Sequence, residues 1–163
     1  MLAVDCDPNP GLAEEFGLDS GALERFDHSG LRPVPGTLEL AREPTLVELD
    51  AGVSLLGGPP SAQPLADAVA RGIAGVLLAR RFDAVVTDLG AGPEFAEMAV
   101  GGVLNPADVC IVLASGSASG RLAAERIEAA CARRGVTPLR VAAPADAVEL
   151  AARLLGTAEA PSR

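Results

Sequence analysis

Three acidic residues stand where short apolar runs end. Leu2-Ala3-Val4 runs into Asp5 and Asp7, and Ala84-Val85-Val86-Thr87 runs into Asp88. Open α/β sheets bind ligands beyond the carboxyl ends of their strands. Carboxylates there suit Mg²⁺, which takes one or two of them together with water and phosphate oxygens. After Asp88 comes Leu89-Gly90-Ala91-Gly92-Pro93-Glu94, whose glycines let backbone N–H groups approach a terminal phosphate. The competing explanation is local. Asp closes strands and opens turns because its carboxylate accepts hydrogen bonds from nearby backbone.

Positioning these residues requires strands alternating with helices, the pattern of a parallel α/β sheet. Leu2 to Asp5 reads as a first strand, Asp7 to Gly11 as a loop, and Leu12 to Phe16 as a short helix. Residues 19–44, with Pro33, Pro35 and Pro44, read as irregular. Leu46–Leu49 and Val53–Leu56 are short extended runs. Leu65, Val69, Ile73, Val76 and Leu77 recur at helical spacing and predict one buried helix face. Ala84–Val86 and Val109–Leu113 are continuous apolar strands, as expected when both sheet faces are covered. Helices are expected from about Glu94 to Val103, from a Ser119 cap to Arg134 with a stop at Gly135, and from Ala145 to Leu155. Leu139–Val141 reads as a last strand. One domain over residues 1–155 with a frayed tail at 156–163 is expected.

Composition narrows the function. The 163 residues carry a formal charge of −9, and all 13 basic residues are arginine. An excess of acid argues against a nucleic-acid surface and against a basic membrane-binding helix. No run of apolar residues is long enough to span a bilayer, and Asp5 interrupts the N-terminus too early for a signal peptide. Cys6, Cys110 and Cys131 are far apart, with neither zinc spacing nor a disulfide framework, which fits a reducing cytoplasm. Without lysine these residues hold no Walker A loop, whose lysine reaches the nucleotide phosphates.

Other candidates have simpler explanations. His28 lies in a polar loop without a second ligand nearby. Asp5 and Asp7 flank Cys6, which disfavours its thiolate. Cys110 and Cys131 read as packing residues. Arg80-Arg81 and Arg133-Arg134 end helices, where cations favour the dipole. Ser115 to Gly120 serves equally as a helix cap or as an anion-binding turn.

The acidic segments carry a resemblance. Leu2 to Leu18, with Asp5-Cys6-Asp7-Pro8, resembles the second strand and switch I of MinD/ParA-type P-loop ATPases, nearest the CooC-like branch. Phe82 to Glu94 resembles the Walker B strand and switch II of that family, and Asn105 to Arg126 its next strand and helix. The resemblance spans roughly residues 1–18 and 76–135. It implies Asp7 as the acid that orients the attacking water. It implies Asp5 and Asp88 at Mg²⁺, and Gly90 and Gly92 at the nucleotide phosphate. It further implies ATP as ligand, a homodimer, and a partner protein coupled to hydrolysis. The fold it implies is a mostly parallel P-loop NTPase-like sheet with helices on both faces.

The chain departs from that family in three places. The first βα unit, with its glycine-rich loop and lysines, is missing, a segment on the order of 30 residues. Its strand lies in the middle of the family's sheet, so two strands are expected to lack a neighbour. Met1 stands where the family has an apolar strand residue, which suggests a start inside a longer reading frame. There is no Cys-x-Cys pair of the nickel-handling branch, and Ala142-Ala143-Pro144 stands where the family reads adenine with Asn. The 163 residues alone are therefore expected not to be ATP-competent. Two alternatives remain: a non-catalytic interaction domain on this scaffold, and an α/β domain using the same acids for another phosphorylated ligand.

Overall fold

The computed structural model describes residues 1–90, 109–114, 116–142 and 144–154. Gly92, the expected helix at Glu94–Val103, Ser115 and the tail at 156–163 lie outside them. The chain divides into two compact units, Met1–Pro106 and Ala107–Arg163.

In the first unit, β1 (Leu2–Asp5) is wholly buried, as its unbroken apolar run requires. It lies between β5 (Val53–Leu56) and β6 (Val85–Asp88), parallel to both. β4 (Val47–Leu49) pairs antiparallel with β5, so the sheet is mixed, in the order β4-β5-β1-β6. The two extended runs are thus a hairpin, joined by the three-residue loop Asp50–Gly52. The sheet is mostly parallel and the architecture is α/β.

Residues 19–44 are more ordered than their prolines suggest. β2 (Leu31–Val34) and β3 (Thr37–Leu40) form an antiparallel hairpin through Pro35-Gly36. Pro33 is tolerated because this two-stranded ribbon has free edges. Leu31 and Leu40 pack with buried Phe26 in the main core.

That core lies on one sheet face, where Leu2, Val4 and Leu56 meet α2 (Pro64–Leu78). Burying each such side chain stabilises by about 1.5–3 kcal/mol. The opposite face carries Ala3 and Leu55 beneath Ala13 of the one-turn helix α1 (Leu12–Glu15).

The buried face of α2 differs from the expected one. Leu65, Val69, Ile73, Val76 and Leu77 are only half-buried, whereas Ala68, Arg71, Gly72, Ala74, Gly75 and Leu78 are buried. Small residues let the helix approach β1 closely. A Cβ on Gly75 would stand 2.8 Å from Val4 Cγ2.

In the second unit, β7 (Val109–Leu113) and β8 (Thr137–Val141) pair in parallel. They are joined through α3 (Ala118–Arg134) and followed by α4 (Pro144–Leu154). β8 begins two residues before the expected Leu139. The cap of α3 is Ser117 rather than Ser119, its Oγ accepting from the Gly120 N–H at 3.0 Å. Gly135 ends the helix as expected, in the left-handed region. Cys110 and Cys131 are both buried, and Cys131 lies near enough to help raise the Cys110 thiol, so their distance in sequence concealed a close pair.

Among the described residues, β6 pairs only with β1 and β7 only with β8. No described helix is long and apolar enough to cross a membrane.

Candidate functional site

The parallel register of β1 and β6 sets Asp5 beside Asp88 at the carboxyl end of both strands. The backbone stays paired one residue further, where the Cys6 N–H donates to the Asp88 carbonyl at 2.8 Å. Asp7 and Gly90 follow at the same end, so four of the five site residues expected from sequence come together. Gly92 lies outside the described residues.

Each acid holds part of its own loop. Asp5 is fully buried. Its Oδ1 accepts from the Asp7 N–H and its Oδ2 from the Leu12 N–H, both at 3.1 Å. Asp7 Oδ1 accepts from the Asn9 N–H at 2.8 Å, and Asp88 Oδ1 from the Gly90 N–H at 2.9 Å. These are the turn-forming bonds that Asp supplies at strand ends. Burial raises the Asp5 carboxyl above its ordinary range, against the lowering effects of its two N–H donors and of Arg71.

Gly90 brings the two acidic loops into contact. Its φ of +71° lies in the left-handed region. A Cβ there would stand 2.5 Å from Asp7 Cγ and Oδ2. Only glycine meets both demands, the backbone conformation and the close approach.

Beneath the loops lies Arg71, only 2% exposed. Its Nε donates to the Asp5 carbonyl at 2.6 Å, and its Nη2 to the Asp7 carbonyl at 3.3 Å. Its guanidinium also closes on the turn after β5, since a Cβ on Gly58 would stand 2.9 Å from Nη1. Burial lowers the Arg71 pKa, while Asp5 is foremost among the neighbours that raise it. A guanidinium remains charged at neutral pH, so Arg71 is the counter-charge under the acids. One turn earlier, Asp67 accepts a fork from Arg25 at 2.8 and 3.0 Å. Its burial is outweighed by Arg25 and Ser61, which hold its carboxyl below the usual range.

Periodicity did not point to Arg71. A lone arginine in a helix reads as a solvent-facing residue, and the available signal was its place in the small-residue stripe of Ala68, Gly72 and Gly75. Cys6 is inert, as expected, but mainly through burial, which with Asp5 and Asp88 pushes its thiol up to about 12. His28 is exposed, as its loop position suggested.

Beside the acids, Pro8, Asn9 and Pro10 face Pro60, Ser61 and Pro64 across an open cleft of about 260 Å³. The acids offer oxygen donors, so this end of the sheet suits cation holding and water orientation. Asp88, at the exposed end of β6, is best placed for a hydrated cation. Arg71 is committed to the carbonyls of Asp5 and Asp7. Among the described residues, no three His, Cys, Asp or Glu side chains are grouped as a metal site.

No protein-family model matches the chain, and neither the curated proteins nor the solved structures contain a match.

Proposed function

We propose that Asp5, Asp7, Asp88 and Gly90 form the acidic half of a Mg²⁺-dependent, ATP-driven switch of the MinD/ParA and CooC-like kind. The supporting observation is the seat of Gly90 against the Asp7 carboxylate, with Asp5 and Asp88 in register beside it. In this reading Asp88, with Asp5, would hold Mg²⁺ through water, and Asp7 would orient the attacking water. The resemblance would add Gly92, which lies outside the described residues, to Gly90 at the terminal phosphate. Mg²⁺ supplies charge neutralisation between phosphate oxygens, the main electrostatic requirement of phosphoryl transfer. A homodimer and a partner protein that responds to the bound nucleotide belong to the same proposal.

The lysine-bearing phosphate loop is the half these residues do not contain. β6 and β7 each pair on one side only among the described residues, and Val86 and Leu113 are 48% and 60% exposed. In this reading the free side of β6 takes the strand of that loop's βα unit. Mg·ATP should therefore leave the melting temperature of the 163-residue chain unchanged. It should raise that of the protein expressed with the reading frame upstream of Met1.

A second reading rests on Asp5. Its full burial and doubly occupied carboxylate suit a structural acid in an interaction domain that binds no nucleotide. A longer protein that folds but ignores Mg·ATP would favour it.

A further inference from the structure

At the end of the first unit's sheet opposite Asp5 and Asp88, a second cleft of about 310 Å³ is lined by Phe16, Leu18, Glu48, Leu49 and Asp50. Its location follows from the register. Leu2 pairs with Ser54, so the β4–β5 loop lies beside the start of β1. The chain reaches this end through α1, whose Leu12 N–H is held by Asp5 and which leads directly to Phe16.

The cleft joins an apolar floor to an acidic rim. Phe16 is 46% exposed although it is one of only four aromatic residues. Leu18 and Leu49 are half-buried beside it. Asp50 stands on the rim, and Glu15 and Asp19 flank Phe16 and Leu18 along the chain. Glu48, opposite Ser54 in the β4–β5 pair, turns its carboxylate to the other sheet face and accepts there from the Ser54 hydroxyl. The carboxylates of Glu15, Asp19 and Asp50 are not ion-paired among the described residues, whereas Arg25, Arg32, Arg42, Arg81 and Arg140 all pair elsewhere. The Met1 ammonium also lies at this end, donating to the Gly52 carbonyl. It is one positive charge against three negative ones.

One side of the cleft, Glu48 and Leu49, belongs to β4, which pairs only with β5 among the described residues. A strand edge guarded by carboxylates rejects neutral and acidic strands and admits a basic one. Anionic membranes and nucleic acids are repelled by the same charge. A second copy of this chain, at −9, is disfavoured too.

We propose that this cleft docks an extended, basic segment of a partner protein. An apolar side chain would rest on Phe16, Leu18 and Leu49, and flanking Arg or Lys would meet Asp50, Glu15 and Asp19. Strand addition along β4 supplies backbone hydrogen bonds, and the anchor and charges supply selectivity. This proposal stands apart from the nucleotide reading, since it uses none of the strand-end acids.

The test titrates the ¹⁵N-labelled chain with the synthetic peptide Arg-Arg-Leu-Leu-Arg-Arg. Saturable amide shifts are expected at residues 14–19 and 48–50. Phe16→Ala and Asp50→Arg, both at exposed positions, should each weaken binding about tenfold. Peptides with Glu for Arg, or Gly for Leu, should not saturate. Added salt should weaken the complex. Absence of saturable binding, shifts confined to other surfaces, or equal affinity in both folded variants would overturn the proposal.

Discussion

Arg71 donates its Nε–H to the backbone carbonyl of Asp5 at 2.6 Å, from a helix position with almost no access to solvent. That bond ties α2 to the end of β1, and the second bond, to Asp7, fixes the following turn. A buried guanidinium without partners would be prohibitive, and three acids crowded at one sheet end would repel one another. Together they offset both costs.

Arg71→Met should therefore destabilise the protein by about 3–5 kcal/mol, the range for leaving a buried charge uncompensated. Arg71→Lys should recover part of this, since an ammonium restores the charge but not the fork. Urea unfolding measures both. A loss below about 1 kcal/mol for Arg71→Met would show that the acids do not depend on it.

Gly90 and Gly36 separate strain from contact. Both have positive φ, +71° and +81°, but nothing lies within 4 Å of a Cβ at Gly36. Gly36→Ala should cost only the left-handed penalty of about 1–2 kcal/mol. Gly90→Ala should cost more, because the methyl must displace the Asp7 carboxylate. Equal losses in the two variants would mean that Gly90 and Asp7 are not held together.

Asp5 gives stability a distinctive pH dependence. Its folded pKa is raised, so the folded state binds this proton more tightly than the unfolded chain. Its contribution should grow as pH falls from above the raised folded value to the ordinary 3.8, and level off below that. Asp67, held low, acts oppositely: its contribution is present above the ordinary value and lost as pH falls through its lowered one. Subtracting the Asp5→Asn stability curve from that of the unaltered protein isolates the Asp5 component. A difference that does not vary with pH would refute the assignment.

The strand ends were the most legible part of the molecule. An unbroken apolar run closed by Asp announces a strand and its turn at both β1 and β6. Only β1 is buried on both faces as that run suggested. β6 alternates between half-buried and exposed residues, with Val86 48% exposed. The buried face of α2 was hidden because counting large apolar residues selects the Leu65 and Ile73 stripe. Close packing on Val4 instead demanded Gly75 and Ala74. The β4–β5 hairpin was visible only as two runs, since strand direction depends on the connection. Arg71 was illegible because its partners are backbone carbonyls, which carry no sequence signal.

The cysteines should report unfolding rather than function. All three are buried, and the Cys6 and Cys110 thiols are both pushed up to about 12, chiefly by burial. At pH 8, iodoacetamide should label them only as fast as the protein opens, with rates rising in urea. Mass spectrometry of timed samples checks this. Rapid labelling of Cys6 in the native protein would contradict the closed packing of the acid loops.

The most direct measurement is a pair of thermal melts with and without millimolar Mg·ATP. One uses the 163-residue chain and the other the protein extended through the reading frame upstream of Met1. The expected result is no shift for the first and a rise of several degrees for the second, abolished by Asp88→Asn. A shift in the shorter chain, a folded longer protein that does not respond, or a response that survives Asp88→Asn would contradict the assignment of these acids to a nucleotide switch.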